Sequence, residues 1–258
     1  MEKFFEFIML GLVGKYMYQW GETTRVVVYA LAALLVAAAA YFLGSLNFAI
    51  IISSKKYNQD IRNYGSNNAG MTNMMRTYGR KAAAFTLIGD ALKAVVSCVI
   101  GYVFLGQIGA YIAGLFCILG HVFPIYYKFK GGKGVVTAGI TILMCNPIVF
   151  VIVLAIFLIL VVCTRYISFG SVISMLLYPV ILDRVDKLLP IWGVYDGTEG
   201  SIGGIFAILM AVIIVFKHIP NIKRLLNGTE SKFSFKKSVK SPKEETTESK
   251  EENKEDKT

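Results

Sequence analysis

Five long stretches without a charged side chain constrain the fold of this chain more than any other feature of its sequence. These stretches are residues 26–52, 94–127, 134–164, 166–182 and 201–216. A helix that crosses a bilayer needs roughly 20 apolar residues, more than a buried helix of a soluble protein usually requires. In lipid, a spanning segment must satisfy its own backbone polar groups, and these stretches lack the alternation of β-strands. The sequence therefore predicts an all-α, polytopic membrane protein.

The positions of the charges and prolines predict about seven transmembrane helices. Charged residues are only 17% of the 258 residues, against about 25% in soluble domains. Residues 134–164 form either one tilted helix or two short helices broken at Asn146-Pro147, because proline lacks an N–H and disfavours helix just before it. We favour the broken form. The predicted helices are 26–52, 82–105, 108–127, 134–146, 147–163, 167–188 and 201–219.

The distribution of basic residues predicts the orientation of these helices. With seven crossings and the N-terminus outside, 13 basic residues fall in the inner loops and 5 fall outside. Lysine and arginine are enriched on the cytoplasmic side of membrane proteins. Fusing the two short helices would instead send the cluster at residues 217–224 outside. We therefore expect an outside N-terminus, a cytoplasmic C-terminus and a cell-membrane location.

Three regions are expected along the chain. Residues 1–25 are an N-terminal extension whose aromatic side chains favour an interfacial position over a cleaved signal peptide. Residues 26–230 form the seven-helix membrane domain. Residues 231–258 carry many charges and few apolar side chains, so a disordered cytoplasmic tail is expected. The four cysteines lie in apolar runs without metal-ligand spacing, and we expect neither a metal nor a cofactor.

A polar loop at residues 53–81 offers the first candidate site. Glycines in it would let backbone N–H groups converge on an anion, while serine, threonine and asparagine add donors and arginine supplies a fork for phosphate. A solvated loop that obeys the positive-inside rule would explain the basic residues but not the run of small polar ones. The candidates are Arg62, Gly65, Ser66, Asn68, Gly70, Thr72, Asn73 and Arg76.

A second loop surrounds Lys133 with Gly131, Gly132 and Gly134. It resembles half of a Walker A loop but lacks the hydroxyl residue that must follow the lysine. A flexible loop at a helix N-terminus with one mobile positive charge can still hold an anion. The alternative is a tight turn between helices.

A third cluster, residues 218–230, follows the last predicted helix. It could snorkel or bind anionic lipid. His218 and Asn221 would share a face if the helix continues past Pro220. Inside the membrane, Asp90 and Lys93 are three residues apart and are expected to form a structural ion pair.

These loops, in this order, resemble the PlsY family of bacterial acyl-phosphate:glycerol-3-phosphate acyltransferases. The pattern GSxNxA matches residues 44–49, and DIRxxGSGNxGATNxxR matches residues 60–76 except at Asn67 and Met71. GHxFPxxxxFKGGKGVAT matches residues 120–137 except at Val136, and HxxNIxRLLxGxE matches residues 218–230 throughout. The resemblance covers about residues 29–230.

The resemblance implies a glycerol-3-phosphate acyltransferase of phospholipid biosynthesis. Such an enzyme moves a fatty acyl group from acyl-phosphate to the 1-hydroxyl of sn-glycerol 3-phosphate and releases lysophosphatidic acid and phosphate. Neither histidine is followed five positions on by aspartate, so the HxxxxD motif of acyl-CoA-dependent enzymes is absent from the sequence. Positioning, charge stabilisation and a substrate phosphate oxygen as base would suffice.

The residues expected to carry the reaction follow from these motifs. The catalytic set is Lys133, His218, Asn221, Ser66 and Arg76. Lys133 is expected to meet the developing charge, and His218 and Asn221 to hold glycerol 3-phosphate. Substrate-binding residues are Ser45, Arg62, Gly65, Asn68, Gly70, Thr72, Asn73, Gly131, Gly132, Gly134 and Ser168.

The expected partners are the two substrates, the lipid bilayer and an enzyme that generates acyl-phosphate, with no nucleic acid. Two other classes of protein remain as alternatives. A transporter of phosphorylated anions would place its basic residues near the midplane, in broken helices from repeated halves. A non-catalytic lipid-binding protein is the other.

Overall fold

Helices make up all the regular secondary structure in the part of the chain that the structure, a computed structural model, describes. That part comprises residues 10–16, 20–188 and 202–233. Residues 10–16 are helical. The long helices are α1 (Glu22–Gly44), α2 (Phe48–Tyr57), α3 (Met71–Tyr78), α4 (Arg80–Val122), α5 (Val135–Cys145), α6 (Pro147–Thr164), α7 (Ile167–Leu188) and α8 (Ile202–Leu226). Short 3₁₀ turns occupy Ile61–Asn63 and Ile125–Tyr127.

The first predicted helix, 26–52, is wrong in both its bounds and its continuity. α1 starts at Glu22 and ends at Gly44, and α2 starts at Phe48. Asn47 caps α2, because its side-chain oxygen accepts a hydrogen bond from the backbone N–H of Ile50 at 3.2 Å. Asparagine is a strong N-cap residue. The break contains no charge or proline, so hydropathy alone does not reveal it.

A backbone bend at Gly106 divides α4 into two arms, close to the predicted helices 82–105 and 108–127. Gly106 has φ 62° and ψ −149°, a conformation open to glycine but not to a residue with a side chain. The arms fold back on each other, since a Cβ on Gly101 would collide with the carbonyl oxygen of Gly109. The second arm ends at Val122 rather than at 127.

The predicted break at Asn146-Pro147 is confirmed. α5 ends at Cys145, and Pro147 is the first residue of α6. Asn146 caps α6 through a 3.1 Å bond from the N–H of Val149. Proline is well tolerated there because the first N–H of a helix has no intrahelical partner.

The outward faces of these helices are apolar, as a bilayer requires. In α6 only Val149 and Val153 are buried, while Val151, Ile159 and Val162 are 62–77% exposed. Among the described residues, five helical segments are long and apolar enough to cross a membrane, and Arg80–Tyr127 among them contains both arms of α4. α5, at 11 residues, is shorter than a full crossing. A multi-pass architecture follows, and the count of seven crossings stays a prediction.

The last helix runs further than the predicted range 201–219. α8 continues through Pro220 to Leu226. His218 and Asn221 therefore lie on one continuous helix, both buried. α7 has the predicted bounds, 167–188.

Internal contacts divide the described chain into two compact units. One contains the described residues up to Leu46 and those from Asp90 to Phe233, and the other contains Asn47–Gly89. In the first unit, Val36 and Ala40 of α1 pack with Ala94 and Cys117 of the two α4 arms. A larger core joins α4 to α5, α7 and α8.

Residues 10–16 belong to the first unit and meet the α4 bend. A Cβ on Gly11 would lie 2.5 Å from the backbone nitrogen of Gly106, and Val13 packs beside the core of α1 and α4. Of the predicted interfacial extension, residues 1–9 and 17–19 lie outside the described residues, and residues 22–25 form the first turn of α1. Residues 234–258 of the predicted disordered tail also lie outside the described residues.

Candidate functional site

The glycine-rich turn before α5 is tied back to the end of α4. The backbone N–H of Gly131 donates to the carbonyl of Val122 at 3.2 Å, and that of Gly132 donates to the carbonyl of His121 at 3.1 Å. A Cβ on Gly131 would collide with the His121 carbonyl oxygen, and Gly134 starts α5 from a φ of 79°. These close approaches require glycine. The turn presents Lys133 just ahead of the first turn of α5.

Lys133 is linked to α8 through Asn221. Its ammonium donates a hydrogen bond to the Asn221 side-chain oxygen at 2.5 Å, and the Asn221 nitrogen donates to Glu230 Oε1 at 2.7 Å. An ammonium only donates and an ionised carboxylate only accepts, so the two partners fix which way the Asn221 amide points. Asn221 is 4% exposed, while Lys133 is half-buried.

Glu230 collects donors from three directions. Besides Asn221, the hydroxyl of Ser168 donates to Oε1 at 2.8 Å and Arg224 Nε donates to Oε2 at 2.7 Å. Burial alone would raise the pKa of Glu230, but the hydrogen bonds from Asn221, Arg224 and Ser168 outweigh it and lower the pKa below its ordinary value. We call Lys133, Ser168, Asn221, Arg224 and Glu230 the Lys133 cluster.

His218 lies on α8, three residues before Asn221, and is 2% exposed. Its Nδ1 is 2.8 Å from the carbonyl oxygen of Ile214. A carbonyl can only accept, so Nδ1 carries the proton and Nε2 of the neutral ring is an acceptor. Residues three apart on a helix share a face. Because α8 continues past Pro220, His218 and Asn221 share one, which the sequence predicted only for a continuous helix.

In the second unit, one buried asparagine organises residues 61–73. The Asn73 nitrogen donates to the carbonyls of Ile61, Tyr64 and Asn68 at 2.9–3.2 Å, and its oxygen accepts from the N–H of Ser66 at 2.9 Å. The side chain is 1% exposed. The Asn73 amide is therefore occupied in shaping the loop, and a contact between this side chain and phosphate stays a prediction.

The other candidates of this loop surround Asn73 on the surface of the second unit. Gly65 and Ser66 are exposed, and Asn68, Gly70, Thr72 and Arg76 are half-buried. Gly65 has a φ of 59°, and Gly70 precedes the first turn of α3. The loop therefore presents hydroxyl, amide and guanidinium donors close to one another.

Arg62 is paired with Asp60 in the same unit. The Arg62 guanidinium donates to both carboxylate oxygens, with a closest contact of 2.6 Å. This hydrogen bond holds the pKa of Asp60 below its usual range, against a smaller opposing effect of burial. Part of the charge expected to meet a phosphate is thus balanced within the loop.

Two further predictions concern the first unit, one for Ser45 and one for the pair of Asp90 and Lys93. The Ser45 hydroxyl, expected to contact substrate, is fully buried and donates to the Tyr41 carbonyl at 2.8 Å. The ion pair expected between Asp90 and Lys93 is present at 2.9 Å. Among the described residues, no three His, Cys, Asp or Glu side chains are grouped to hold a metal ion.

Glu230 and Arg224 belong to the third sequence motif, but the motif alone assigned neither of them a role. The sequence feature that could have indicated a role for Glu230 is its charge. Glu230 is the first acidic residue after the apolar helix in a basic segment. A lone acid among bases is a natural acceptor for them.

Comparison with models of known protein families identifies the family in which these motifs occur. The model of the glycerol-3-phosphate acyltransferase family matches residues 34–228, about three quarters of the chain. The chain belongs to this family.

Individual relatives agree with the family match. The glycerol-3-phosphate acyltransferase of Finegoldia magna is 41% identical over 74% of this chain and 91% of its own length. That of Rhizobium etli is 43% identical over 79% of this chain and 93% of its own. A crystal structure of PlsY, an integral membrane glycerol 3-phosphate acyltransferase in its glycerol 3-phosphate form, shares 31% identity with a TM-score of 0.69. It covers 78% of this chain and 96% of its own.

Membership in the glycerol-3-phosphate acyltransferase family settles the class of protein. The chain is a multi-pass membrane enzyme that acylates glycerol 3-phosphate, a step of phospholipid biosynthesis. The match covers all three motifs apart from the last two residues of the third, Thr229 and Glu230. Residues 1–33 and the whole of the tail, 231–258, lie outside it.

Proposed function

We propose that this acyltransferase takes its acyl group from acyl-phosphate and places it on the 1-hydroxyl of sn-glycerol 3-phosphate. The hydroxyl oxygen bonds to the acyl carbon, the bond from that carbon to the phosphate oxygen breaks, and the hydroxyl proton leaves with phosphate. The products are lysophosphatidic acid and inorganic phosphate. The similar PlsY has been solved in glycerol 3-phosphate and lysophosphatidic acid forms, which supports this product.

The observation that carries the proposal is the 2.5 Å contact between Lys133 and Asn221. It places an ammonium, a buried amide and the N-terminus of α5 together, and backbone N–H groups at a helix N-terminus favour anions. His218 adds a ring nitrogen that accepts. We assign glycerol 3-phosphate to His218 and Asn221, and we assign to Lys133 the negative charge that develops during acyl transfer.

The exposed and half-buried donors of the loop around Asn73 are our candidates for a second phosphate contact. Ser66, Asn68, Thr72 and Arg76 combine neutral donors with a guanidinium, which binds phosphate in a bidentate manner. The backbone at Gly65 and Gly70 leaves room for a close approach. Asn73 holds these groups in place and Arg62 remains paired with Asp60.

The absence of an HxxxxD motif from the sequence suits an acyl-phosphate donor. A free hydroxyl needs a base when the leaving group is poor. Phosphate is a good leaving group, and one of its oxygens can take the proton as the new bond forms. The protein then contributes orientation and positive charge, which together account for large rate effects.

An apolar cavity in the first unit suits the acyl chain of the donor. It has a volume of about 600 Å³ and lies between the start of α7 and the end of α8, with Phe169, Ile222 and Leu225 in its wall. Ser168 directly precedes Phe169 and belongs to the Lys133 cluster. A fatty chain in this cavity would keep its carbonyl end near polar donors while its methylenes stay out of water.

We place the reaction at the cytoplasmic face of the cell membrane, because the Lys133 cluster and the loop around Asn73 lie in the predicted inner segments. The enzyme then depends on a second protein that makes acyl-phosphate.

The test is a comparison of donors with purified protein in vesicles that contain labelled glycerol 3-phosphate. Labelled lysophosphatidic acid should form with acyl-phosphate and not with acyl-CoA or acyl carrier protein. Comparable rates with acyl-CoA would refute the donor. Movement of label across the membrane without acylation would favour a transporter.

A further inference from the structure

A buried lysine in the first unit holds a cluster of polar groups that the proposed reaction does not use. The side chains of Lys93, Asp90 and His121 are 2%, 3% and 5% exposed. Ionisable groups inside a membrane protein are costly to bury and usually have a partner or a role. This group contains an ammonium, a carboxylate and an imidazole within contact of one another.

The Lys93 ammonium connects two chain segments distant in sequence. It donates to the carbonyl oxygens of Gly44 at 2.9 Å and Leu46 at 2.7 Å, and lies 2.9 Å from Asp90 Oδ1. The last carbonyls of a helix lack intrahelical partners, and a positive charge there also favours the helix dipole. Lys93 thus secures the end of α1 from the first arm of α4.

The fourth contact of Lys93 reaches His121. Its ammonium lies 2.9 Å from His121 Nδ1. Since the ammonium only donates, Nδ1 accepts and the ring is neutral. The ring orientation of His121 is therefore set by Lys93, which Asp90 neutralises.

The backbone of His121 holds the turn that carries Lys133. Its carbonyl accepts from the N–H of Gly132, the residue before Lys133, and packs directly against Gly131. The neighbouring carbonyl of Phe123 accepts from the hydroxyl of Tyr41 at 2.8 Å, on α1. Side chain and carbonyl of His121 thus join the end of α1 to the Lys133 turn.

We propose that His121, held by Lys93 and Asp90, is a positioning residue that fixes the glycine turn and so the place of Lys133. The inference rests on the proposed role of Lys133 in stabilising the charge that develops during acyl transfer. It assigns His121 no contact with substrate and no transfer of a proton. Removing the Nδ1 acceptor frees the ring, and the two hydrogen bonds at Gly131 and Gly132 loosen with it.

The test compares His121→Phe with His121→Asn in the full-length protein. Phenylalanine keeps the approximate volume but lacks the acceptor, whereas an asparagine oxygen can accept from Lys93 in its place. Ser97→Ala is the matched control, because Ser97 is a fully buried polar residue one turn after Lys93 that makes none of these links. Amide hydrogen exchange of residues 129–135 and kinetics with acyl-phosphate and glycerol 3-phosphate are measured for each.

We expect faster exchange at Gly131 and Gly132 in His121→Phe and a fall in kcat/KM of at least about tenfold, since small displacements of a catalytic group are costly. The thermal midpoint should shift no more than in Ser97→Ala. His121→Asn should recover both exchange and rate to within about threefold of the unsubstituted protein.

Either of two results overturns the inference. Unchanged exchange in His121→Phe means that the ring does not hold the turn, and this readout needs no activity. Faster exchange with kcat/KM equal to that of Ser97→Ala means that the turn does not place Lys133 for the reaction. If His121→Phe does not fold, Asp90→Asn with Lys93→Met removes both charges together and must show the same pair of changes. An unsubstituted protein inactive with acyl-phosphate would instead refute the proposed function.

Discussion

At the scale of single residues, Asn221 shows how a side chain of ambiguous chemistry acquires one orientation. Its oxygen receives the Lys133 ammonium and its nitrogen donates to Glu230. The motif indicated that this asparagine matters, but the partner that orients it lies nine residues later. The sequence therefore indicated Lys133, His218 and Asn221 as candidates and gave no role to Glu230. That link depends on how the chain turns back after α8, which no local pattern specifies.

Lys133→Ala should lower kcat more than it raises KM, because the ammonium is expected to act on charge that grows during transfer. Loss of one such contact typically costs on the order of 10²–10³ in rate, or about 3–4 kcal/mol. Lys133→Arg should recover only part, since a planar fork replaces a point charge beside crowded glycines. Initial rates with both substrates varied measure this.

Lys128→Ala is the control for Lys133, because Lys128 is exposed and lies in the same loop. It should retain nearly full activity. Equal small effects at both positions would leave Lys133 as an anchor at the membrane surface.

Glu230→Gln should remove a pH dependence of stability. The pKa of Glu230 lies below its ordinary value of 4.5, so the ionised form stabilises the folded protein fully above that value. This contribution is lost as the pH falls through the folded-state pKa. The thermal midpoint of the unsubstituted protein should exceed that of the variant above about pH 5 and approach it in more acidic solution. A constant difference across the whole range would contradict the carboxylate's role.

At the scale of helices, the sequence predicted the break that a proline marks. Pro147 marks the break between α5 and α6. The break at residues 45–47 was missed because the carbonyl groups beside it, those of Gly44 and Leu46, accept hydrogen bonds from Lys93, which is far along the chain. At Pro220 the error was the opposite one. The predicted helix ended at residue 219, but α8 continues past Pro220 to Leu226. Non-local contacts decided both cases.

The α4 bend depends on close contact between its two arms, which makes Gly101 sensitive to substitution. Gly101→Ala places a Cβ against the Gly109 carbonyl and should cost about 1–3 kcal/mol of unfolding free energy. Gly139→Ala is the matched control, because its Cβ would meet only Phe150 at an ordinary 3.8 Å. Alanine favours helix over glycine by up to about 1 kcal/mol, so this variant should be neutral or more stable. Thermal midpoints in one detergent compare the two, and equal midpoints would refute the contact.

At the scale of the whole molecule, the prediction that can be checked first is orientation. In a background without Cys98, Cys117, Cys145 and Cys163, a cysteine at Asn227 should be labelled only from the cytoplasmic side. Ser66→Cys should behave in the same way, because the inner side holds the basic excess. Arg184→Cys, at the opposite end of α7, should be labelled only from outside. Labelling of Asn227→Cys and Arg184→Cys from the same side would refute the predicted topology.

The class of fold was predictable at this scale because lipid imposes a simple rule on composition. Long uncharged runs must become helices, and the exposed apolar face of α6 shows the result. The division into two compact units was not predictable, because it depends on which polar groups pair across the loops. Asn73 illustrates this, as its amide closes the loop on itself instead of remaining available.

Because Glu230 follows α8 in the sequence, it is the last residue of the Lys133 cluster to be synthesised. Chains fold from the N-terminus as they are made, and Lys133, Ser168 and Asn221 all emerge before Glu230. The Lys133 cluster cannot close until α8 has been inserted and the ribosome has passed residue 230. A nascent or prematurely terminated chain would thus lack the acceptor that joins these donors. Completion of the cluster in the cell therefore coincides with completion of the membrane domain.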